Sequence, residues 1–328
     1  MAGLFSVTYQ FLRPSKPRLV EKDVPDLTGK VTIVTGSNVG LGKEIAQILY
    51  AKNAKVYMLA RSEAKARAAM DSIRAAAPAS RGELVYLHLD LADLTTVAGT
   101  AAAFGAREAR LDLLFNNAGV AFPAAGSRTA QGYELEIGVN CLGTFALTKL
   151  LTPALVAAAK SASAPAGSVR VVWVSSSAAE SYSPRGFVGA VEGAAGMTAV
   201  GKYFSSKLGN YLHGAEFATR HRADGVVSVP LNPGALDSEL WREQASVVKS
   251  IMRATLLYPS LYGAYTCLFA AFSPEITLEK SGSYVAPWGR LWEVHAGMER
   301  AGRSVAEGGD GTAKEFWEWS EAQVSKYI

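Results

Sequence analysis

The sequence predicts an α/β fold, a single doubly wound parallel sheet with helices on both faces. Three observations predict it. From Lys30 onward, short β-branched runs alternate with Ala-rich stretches of helical composition. The runs are apolar at consecutive positions rather than at every second one, as strands buried on both faces must be. The regular β–α–β alternation calls for right-handed crossovers, which lay helices on both sides of a parallel sheet. The chain has 328 residues, 49% of them hydrophobic and 19% charged, enough for a large core. Residues 1–27 read as an N-terminal arm and residues 28–328 as one domain without internal repeats.

The elements follow in order. VTIVTG (31–36) is a buried strand, LGKEIAQILYAKN a helix and AKVYMLAR a second strand. A charged, Ala-rich helix runs to about Ala77. GELVYLHLD is the third strand, LTTVAGTAAAF a helix and LDLLFNNAG the fourth strand. A long helix is expected from Tyr133 to Lys160, then SVRVVWVSS as the fifth strand. KYFSSKLGNYLHGAEFATRH is the next helix and GVVSVPLNPG the sixth strand. Small-residue stretches near 161–168 and 189–197 read as loops. Glu239 to Lys249, with Trp241, predicts a short helix over the cleft, and SYVAPWGRLW holds the last strand.

Composition excludes several classes. Two cysteines, Cys141 and Cys267, make no disulfide framework. Four scattered histidines contain no HExxH pair, so no metal site is expected. A net charge of +4 with acids and bases interspersed gives no basis for nucleic-acid binding. The N-terminus lacks the basic start and long apolar core of a secretory signal. Ala254 to Pro274 is uncharged, but Pro259-Ser260 reads as a helix start and leaves too short a helix to cross a bilayer. A cytoplasmic protein is therefore expected, its membrane contact at most peripheral through the apolar arm.

The first turn carries the first chemical signal. In TGSNVGLG (35–42), Gly36, Gly40 and Gly42 allow a tight turn between strand and helix, and Ser37, Asn38 and Leu41 complete it. Free N–H groups at such a helix start attract a phosphate. The second strand ends in Ala60-Arg61. Ala60 cannot repel a 2′-phosphate and Arg61 can pair with one, which favours NADP(H) over NAD(H). Ser62 either caps the next helix or touches the same phosphate. Asp90, followed by Leu91, either holds the adenine edge or caps the helix after it. Tyr203 and Lys207 have the i,i+4 spacing that puts both on one helix face. A phenol with a pKa near 10 needs about 4 kcal/mol of differential stabilisation to fall by about 3 units, and a neighbouring ammonium is a source of it.

Taken together, TGSNVGLG, Ala60-Arg61, Asp90-Leu91, NNAG (116–119), Asn140, VSSS (174–177), Tyr203/Lys207 and NPG (232–234) resemble the short-chain dehydrogenase/reductase superfamily. Within it, the chain looks like the retinol-dehydrogenase-like, NADP-preferring branch. The motifs stand in family order over roughly residues 28–240. The resemblance implies a Rossmann-type sheet and a set of roles. Tyr203 would be the general acid in ketone reduction and the base in alcohol oxidation. Lys207 would lower its pKa and hold the nicotinamide ribose. Ser176, with Ser177 as runner-up, would hydrogen-bond the substrate oxygen. Asn140 would hold a water that relays protons to Lys207. Asn117, Ala118 and Gly119 would line the ribose side of the cofactor, and Pro233 and Gly234 would shape the nicotinamide site. Ser238 would replace a threonine usual after the Pro-Gly turn.

The resemblance has departures. The stretch between Ser176 and Tyr203 is longer than in compact members, which makes about 178–200 and 235–300 the expected substrate-cleft elements. No Arg or Lys cluster marks an anionic substrate, so a hydrophobic ketone, aldehyde or alcohol is favoured. Trp288 and Trp292 are either packing anchors or substrate contacts. The tail, GDGTAKEFWEWSEAQVSKYI, docks on its own domain, covers the pocket or meets a second subunit. The apolar share of the helices near 133–160 and 203–222 fits either burial within one subunit or the pairing of a homodimer. A non-redox scaffold or cyclisation template of the same fold is the alternative function.

Overall fold

The computed structural model describes residue 10 and residues 16–237 and 257–328. Its centre is a sheet of eight strands: β1 (Val31–Thr35), β2 (Lys55–Ala60), β3 (Glu83–His88), β4 (Leu113–Asn116), β5 (Val169–Val174), β6 (Val226–Leu231), β7 (Tyr284–Ala286) and β8 (Arg290–Trp292). Their order is β3-β2-β1-β4-β5-β6-β7-β8. Pairing is parallel from β3 through to β7, and β8 folds back antiparallel on β7. The last strand expected from SYVAPWGRLW is thus a hairpin. Gly289, in the left-handed region at φ +88, makes its turn possible.

Consecutive side chains on each strand enter opposite layers. In β1, Val34 packs beneath helices α1 (Gly40–Ala51), α2 (Glu63–Ala76) and α7 (Ser260–Phe272), while Val31 and Ile33 face the other way. In β5, Val172 and Val174 join the first layer and Val169, Val171 and Trp173 the second. The second layer is closed by α3 (Leu94–Gly105), α4 (Thr144–Ala159), α6 (Ala199–His221) and α9 (Thr312–Val324). Helices α5 (Phe187–Glu192) and α8 (Ala296–Gly302) belong to a third apolar cluster beside the cleft.

The uncharged stretch at Ser260–Phe272 is a helix packed on the sheet, with Ala264, Cys267, Leu268 and Ala270 fully buried. Its C-terminal end is closed by Arg170 of β5. That buried guanidinium donates to the carbonyls of Ala270 (2.9 Å), Ser273 (3.1 Å) and Ile276 (3.1 Å), where a helix end gathers negative partial charge. Burial lowers the Arg170 pKa to about 10.

Two sequence expectations change. Residues 189–197, expected as a loop, contain the end of α5 and a 3₁₀ turn over Ala194–Gly196. Small residues hid the helix, because Phe187 and Val191 alone carry its buried face. The long helix over 133–160 is not uniform. A π segment, Ile137–Gly143, precedes α4, and Asn140 lies inside it. Such widened turns recur at functional sites. Segment and helix together, Ile137–Ala159, are long and apolar enough to cross a membrane, and most of that length is buried inside the domain.

Candidate active site

The strand order reverses direction between β1 and β4, and the crevice at their carboxyl ends is where open α/β sheets take ligands. Three segments meet there. Gly36 leaves β1 with φ +64. A Cβ on Gly42 would lie 2.4 Å from the Gly36 carbonyl and 2.6 Å from Asn117 Nδ2, so only glycine fits. Asn117 turns its amide inward and donates to the Thr35 carbonyl at 2.8 Å. The Asn117 and Ala118 N–H groups both reach Thr35 Oγ1, at 3.0 and 2.9 Å. Thr35 therefore ties β1 to the NNAG turn, a role the sequence reading missed. The signal was a hydroxyl at the last residue of a buried strand.

The turn fits an anionic cofactor. Val39, the N-cap of α1, offers no side-chain cap, and the buried Ser37 hydroxyl has no partner. Asn38 and Leu41 line the turn half-buried, and Gly40 opens the helix at φ +52. Arg61 stands exposed just past the end of β2. Ser62 caps α2 by accepting from the Lys65 N–H at 3.4 Å. Asp90 accepts from the Ala92 N–H, whereas the cap of α3 is Asp93, which accepts from Thr95. The capping alternative for Asp90 therefore falls to its neighbour three residues on. Leu91 is core, packed under Gly143.

The reacting centre lies along α6. Tyr203 is half-buried near its first turn, with the Ser176 side chain close enough to ease its ionisation. The three serines divide as alternation along a strand end demands. Ser175 points inward and donates to the Lys207 carbonyl at 2.7 Å. Ser177 is buried at the start of a 3₁₀ turn, Ser177–Ser181. Ser176 alone meets the phenol. Lys207 donates its ammonium to the Val174 carbonyl at 3.1 Å, with Nζ 5.9 Å from the centroid of the Tyr203 ring.

Burial acts on both members of this pair, which their spacing did not show. Burial dominates the phenol and pushes it up to about 12; the Ser176 hydroxyl opposes that and nearby Glu136 adds to it. Burial likewise brings Lys207 down to about 8. A lysine lowered to about 8 is already neutral where a phenol at about 12 ionises, so in the chain alone it does not lower that phenol.

Asn140 is fully engaged. Its Oδ1 accepts from the Val120 N–H at 2.8 Å, and its Nδ2 donates to the Val120 carbonyl and to Ser206 Oγ, each at 2.9 Å. Its own carbonyl, inside the π segment, accepts from Asn210 Nδ2 at 2.6 Å. A Cβ on Gly119 would come within 3.1 Å of Asn140 Oδ1 and 3.6 Å of Lys207 Nζ. Two further residues escaped the sequence reading. Glu136, 0% exposed, accepts the Phe122 N–H at 2.8 Å, and burial raises its carboxyl to about 7. Phe122 places its ring 5.0 Å from that of Tyr203. Glu136 and Asn140 stand four apart on one helix, the only pattern that hinted at the first.

Beyond β6, Asn232 Oδ1 accepts the Gly234 N–H at 3.0 Å and fixes the turn through Pro233. Gly234 has φ +96, and a Cβ there would strike Trp288 at 2.8 Å. Trp288 is thus a packing anchor, buried against Tyr258 and Tyr262 at 5.0 and 5.3 Å between ring centroids. Gln10 of the N-terminal arm joins Asn232 (2.9 Å) to Glu180, linking the two segments that flank Tyr203. Ser238, Trp241 and the expected helix from Glu239 to Lys249 lie outside the described residues. The tail docks on its own domain. Phe316 stacks on His213 of α6 at 4.4 Å, and Trp317 meets Phe145 of α4 edge-on at 4.7 Å. Among the described residues, no group of three His, Cys, Asp or Glu side chains could hold a metal.

Comparison with known proteins agrees with this arrangement. The family model described as short chain dehydrogenase matches residues 30–248. A short-chain dehydrogenase/reductase of Phomopsis amygdali is 51% identical over 96% of this chain and 95% of its own. One from Neocamarosporium betae is 46% identical over 96% of this chain and 92% of its own. In fold, the chain is similar to an NADPH-bound short chain oxidoreductase of Pseudomonas aeruginosa that contains an atypical catalytic center, with a TM-score of 0.61 and 20% identity over 80% of this chain and 96% of that one. It is also similar to the 3-oxoacyl-[acyl-carrier protein] reductase of Brucella melitensis in complex with NAD, with a TM-score of 0.60 and 20% identity over 78% and 94%. The glycine-lined crevice, the serine, tyrosine and lysine beside it, and relatives alike over nearly their whole length make this chain an oxidoreductase of the short-chain dehydrogenase/reductase family.

Proposed function

We propose that the chain moves a hydride between NADP(H) and an uncharged, hydrophobic ketone, aldehyde or alcohol. The observation that carries the reading is Tyr203 with Ser176 and Lys207 beside it, the Lys207 ammonium facing Gly119 of the NNAG turn. The nicotinamide cofactor, when bound, supplies or accepts the hydride. The turn from Gly36 to Gly42 would hold its phosphates, Arg61 its 2′-phosphate, and the NNAG turn and Lys207 its ribose.

The protein's part is proton transfer and orientation. A phenol pushed up to about 12 is protonated at neutral pH, so Tyr203 enters the reducing direction as the proton donor. It gives its proton to the carbonyl oxygen as charge develops there, while the Ser176 hydroxyl holds that same oxygen. The resulting phenolate is balanced by the Lys207 ammonium close behind the ring. In the oxidising direction the roles reverse. A non-redox scaffold draws no support, since such a protein has no use for Asn140, Ser176, Tyr203 and Lys207 together.

The test is a turnover screen with both cofactors over apolar ketones. The expected result is NADPH consumption, with NADH at least about 10-fold poorer in kcat/KM, and near parity of the two in Arg61→Ala. Tight NADPH binding without consumption of any ketone would overturn the reading.

A further inference from the structure

Phe122 departs from ordinary backbone geometry right beside the reacting centre. Its φ is +50, a region that a bulky side chain occupies only when its surroundings hold it there. Two side chains of one helix do so. Asn140 grips Val120 through both N–H and carbonyl, and Glu136 accepts the N–H of Phe122 itself at 2.8 Å. Glu136 is an odd choice for a mere peg. It is wholly buried, and its second carboxylate oxygen has no partner, which an apolar side chain in that place would avoid. The ring so held stays half-exposed rather than sinking into the core, and lies 5.0 Å from the Tyr203 ring at a tilt of 38°.

We propose that Phe122 is an aromatic wall of the substrate site and that Glu136 is the positioning residue that keeps it against Tyr203. The inference rests on the reading of Tyr203 as proton donor: a carbonyl that reaches the phenol passes the face or edge of Phe122. A wall of this kind selects flat, apolar substrates, ketones joined to or fused with an aromatic ring, over small aliphatic ones.

The experiment uses the full chain and a fluorescent naphthyl ketone. Its binding is read from its own emission, its turnover from NADPH consumption, and a four-carbon aliphatic ketone serves as control. Phe122→Ala is expected to raise Kd and KM for the naphthyl ketone about 10-fold or more, and the aliphatic KM by much less. Glu136→Ala should copy that pattern. Glu136→Gln, whose amide oxygen still accepts the Phe122 N–H, should restore most of the affinity. The double variant Phe122→Ala/Glu136→Ala should be no worse than Phe122→Ala. Unchanged naphthyl-ketone binding in Phe122→Ala, additive losses in the double variant, or no binding to the native chain would overturn the proposal. If Glu136→Ala does not fold, Phe122→Leu against Phe122→Ala carries the test: a flexible apolar side chain should recover at most part of the affinity, and full recovery would overturn the aromatic wall. Phe122-dependent binding with no hydride transfer would sink the oxidoreductase reading alone, whereas turnover indifferent to Phe122 would sink the wall alone.

Discussion

Helix α6 carries two buried basic side chains, and they stand in opposite situations. Lys207, on the turn after Tyr203, is lowered by burial to about 8. His213, less than two turns further, is lowered by burial to about 3. The first keeps a carbonyl partner at 3.1 Å and faces Gly119 of the glycine-lined crevice. The second is sealed under the tail helix, stacked on Phe316 and paired with Ser320 Oγ at 2.9 Å, with Nδ1 left without a partner. A perturbed group is therefore no sign of function by itself. What separates the two ends of the helix is whether the group borders a space that a ligand can enter. The site half should answer to substitution in rate and the tail half in stability.

The largest expected effect is on rate. Tyr203→Phe should lower kcat by about 10³-fold or more, as loss of a positioned proton donor does, while NADPH affinity and the melting temperature stay near native. Paired NADPH titration, turnover and thermal melts check this; retained turnover would merge the two halves. The mirror experiment is Phe316→Ala, which opens a cavity between His213, Phe187 and Trp319. It should cost about 3–5 kcal/mol in urea unfolding with KM unchanged. A large change in KM instead would show that the tail helix shapes the pocket directly.

The same contrast explains what was legible in the sequence. The sheet was readable because its strands are unbroken apolar runs, and the crevice because Gly36, Gly42 and Asn117 answer to close backbone approach, which few other residues allow. Ser176 could be separated from Ser175 and Ser177 by the period of two, although its partner could not be known from that. Glu136 and Phe122 were illegible. A carboxylate two residues from another carboxylate on a helix reads as a solvated face, and only the fold shows Glu136 at 0% exposure. The weight of burial at Tyr203 was illegible for a related reason. Spacing reports proximity but not desolvation, and burial is the largest influence on that phenol. The helix at 187–192 was hidden by its small residues, and the tail's docking was left open because aromatic residues among charges serve a neighbouring subunit as well as their own.

The remaining predictions sharpen the sealed end. His213 has a folded pKa far below its ordinary value of 6.5, so below pH 6.5 the unfolded chain takes up a proton that the folded chain refuses. Its contribution is intact above about pH 6.5 and is lost as pH falls toward 3. Each unit in that window is worth about 1.4 kcal/mol. Between pH 6.5 and pH 4.5 the native chain should therefore lose about 2–3 kcal/mol more than His213→Gln, read as urea midpoints at each pH. Parallel losses would mean that the ring is open to water.

The smallest effect belongs to Ser320→Ala. Among the described residues its hydroxyl is the one hydrogen-bond partner of His213 Nε2, and Ser320 is itself fully buried. Removal leaves both ring nitrogens unpartnered, so one N–H is buried without an acceptor whichever tautomer the ring adopts. That should cost about 1 kcal/mol at pH 8, with turnover unchanged. The comparison with His213→Gln gives the result its meaning. If the serine donates to a neutral ring, its loss makes the ring easier to protonate, and the acid sensitivity of Ser320→Ala should shrink toward that of His213→Gln. If the serine accepts from the ring instead, the N–H it served is present in both protonation states, and Ser320→Ala should lose stability at pH 8 while keeping the native steepness below pH 6.5.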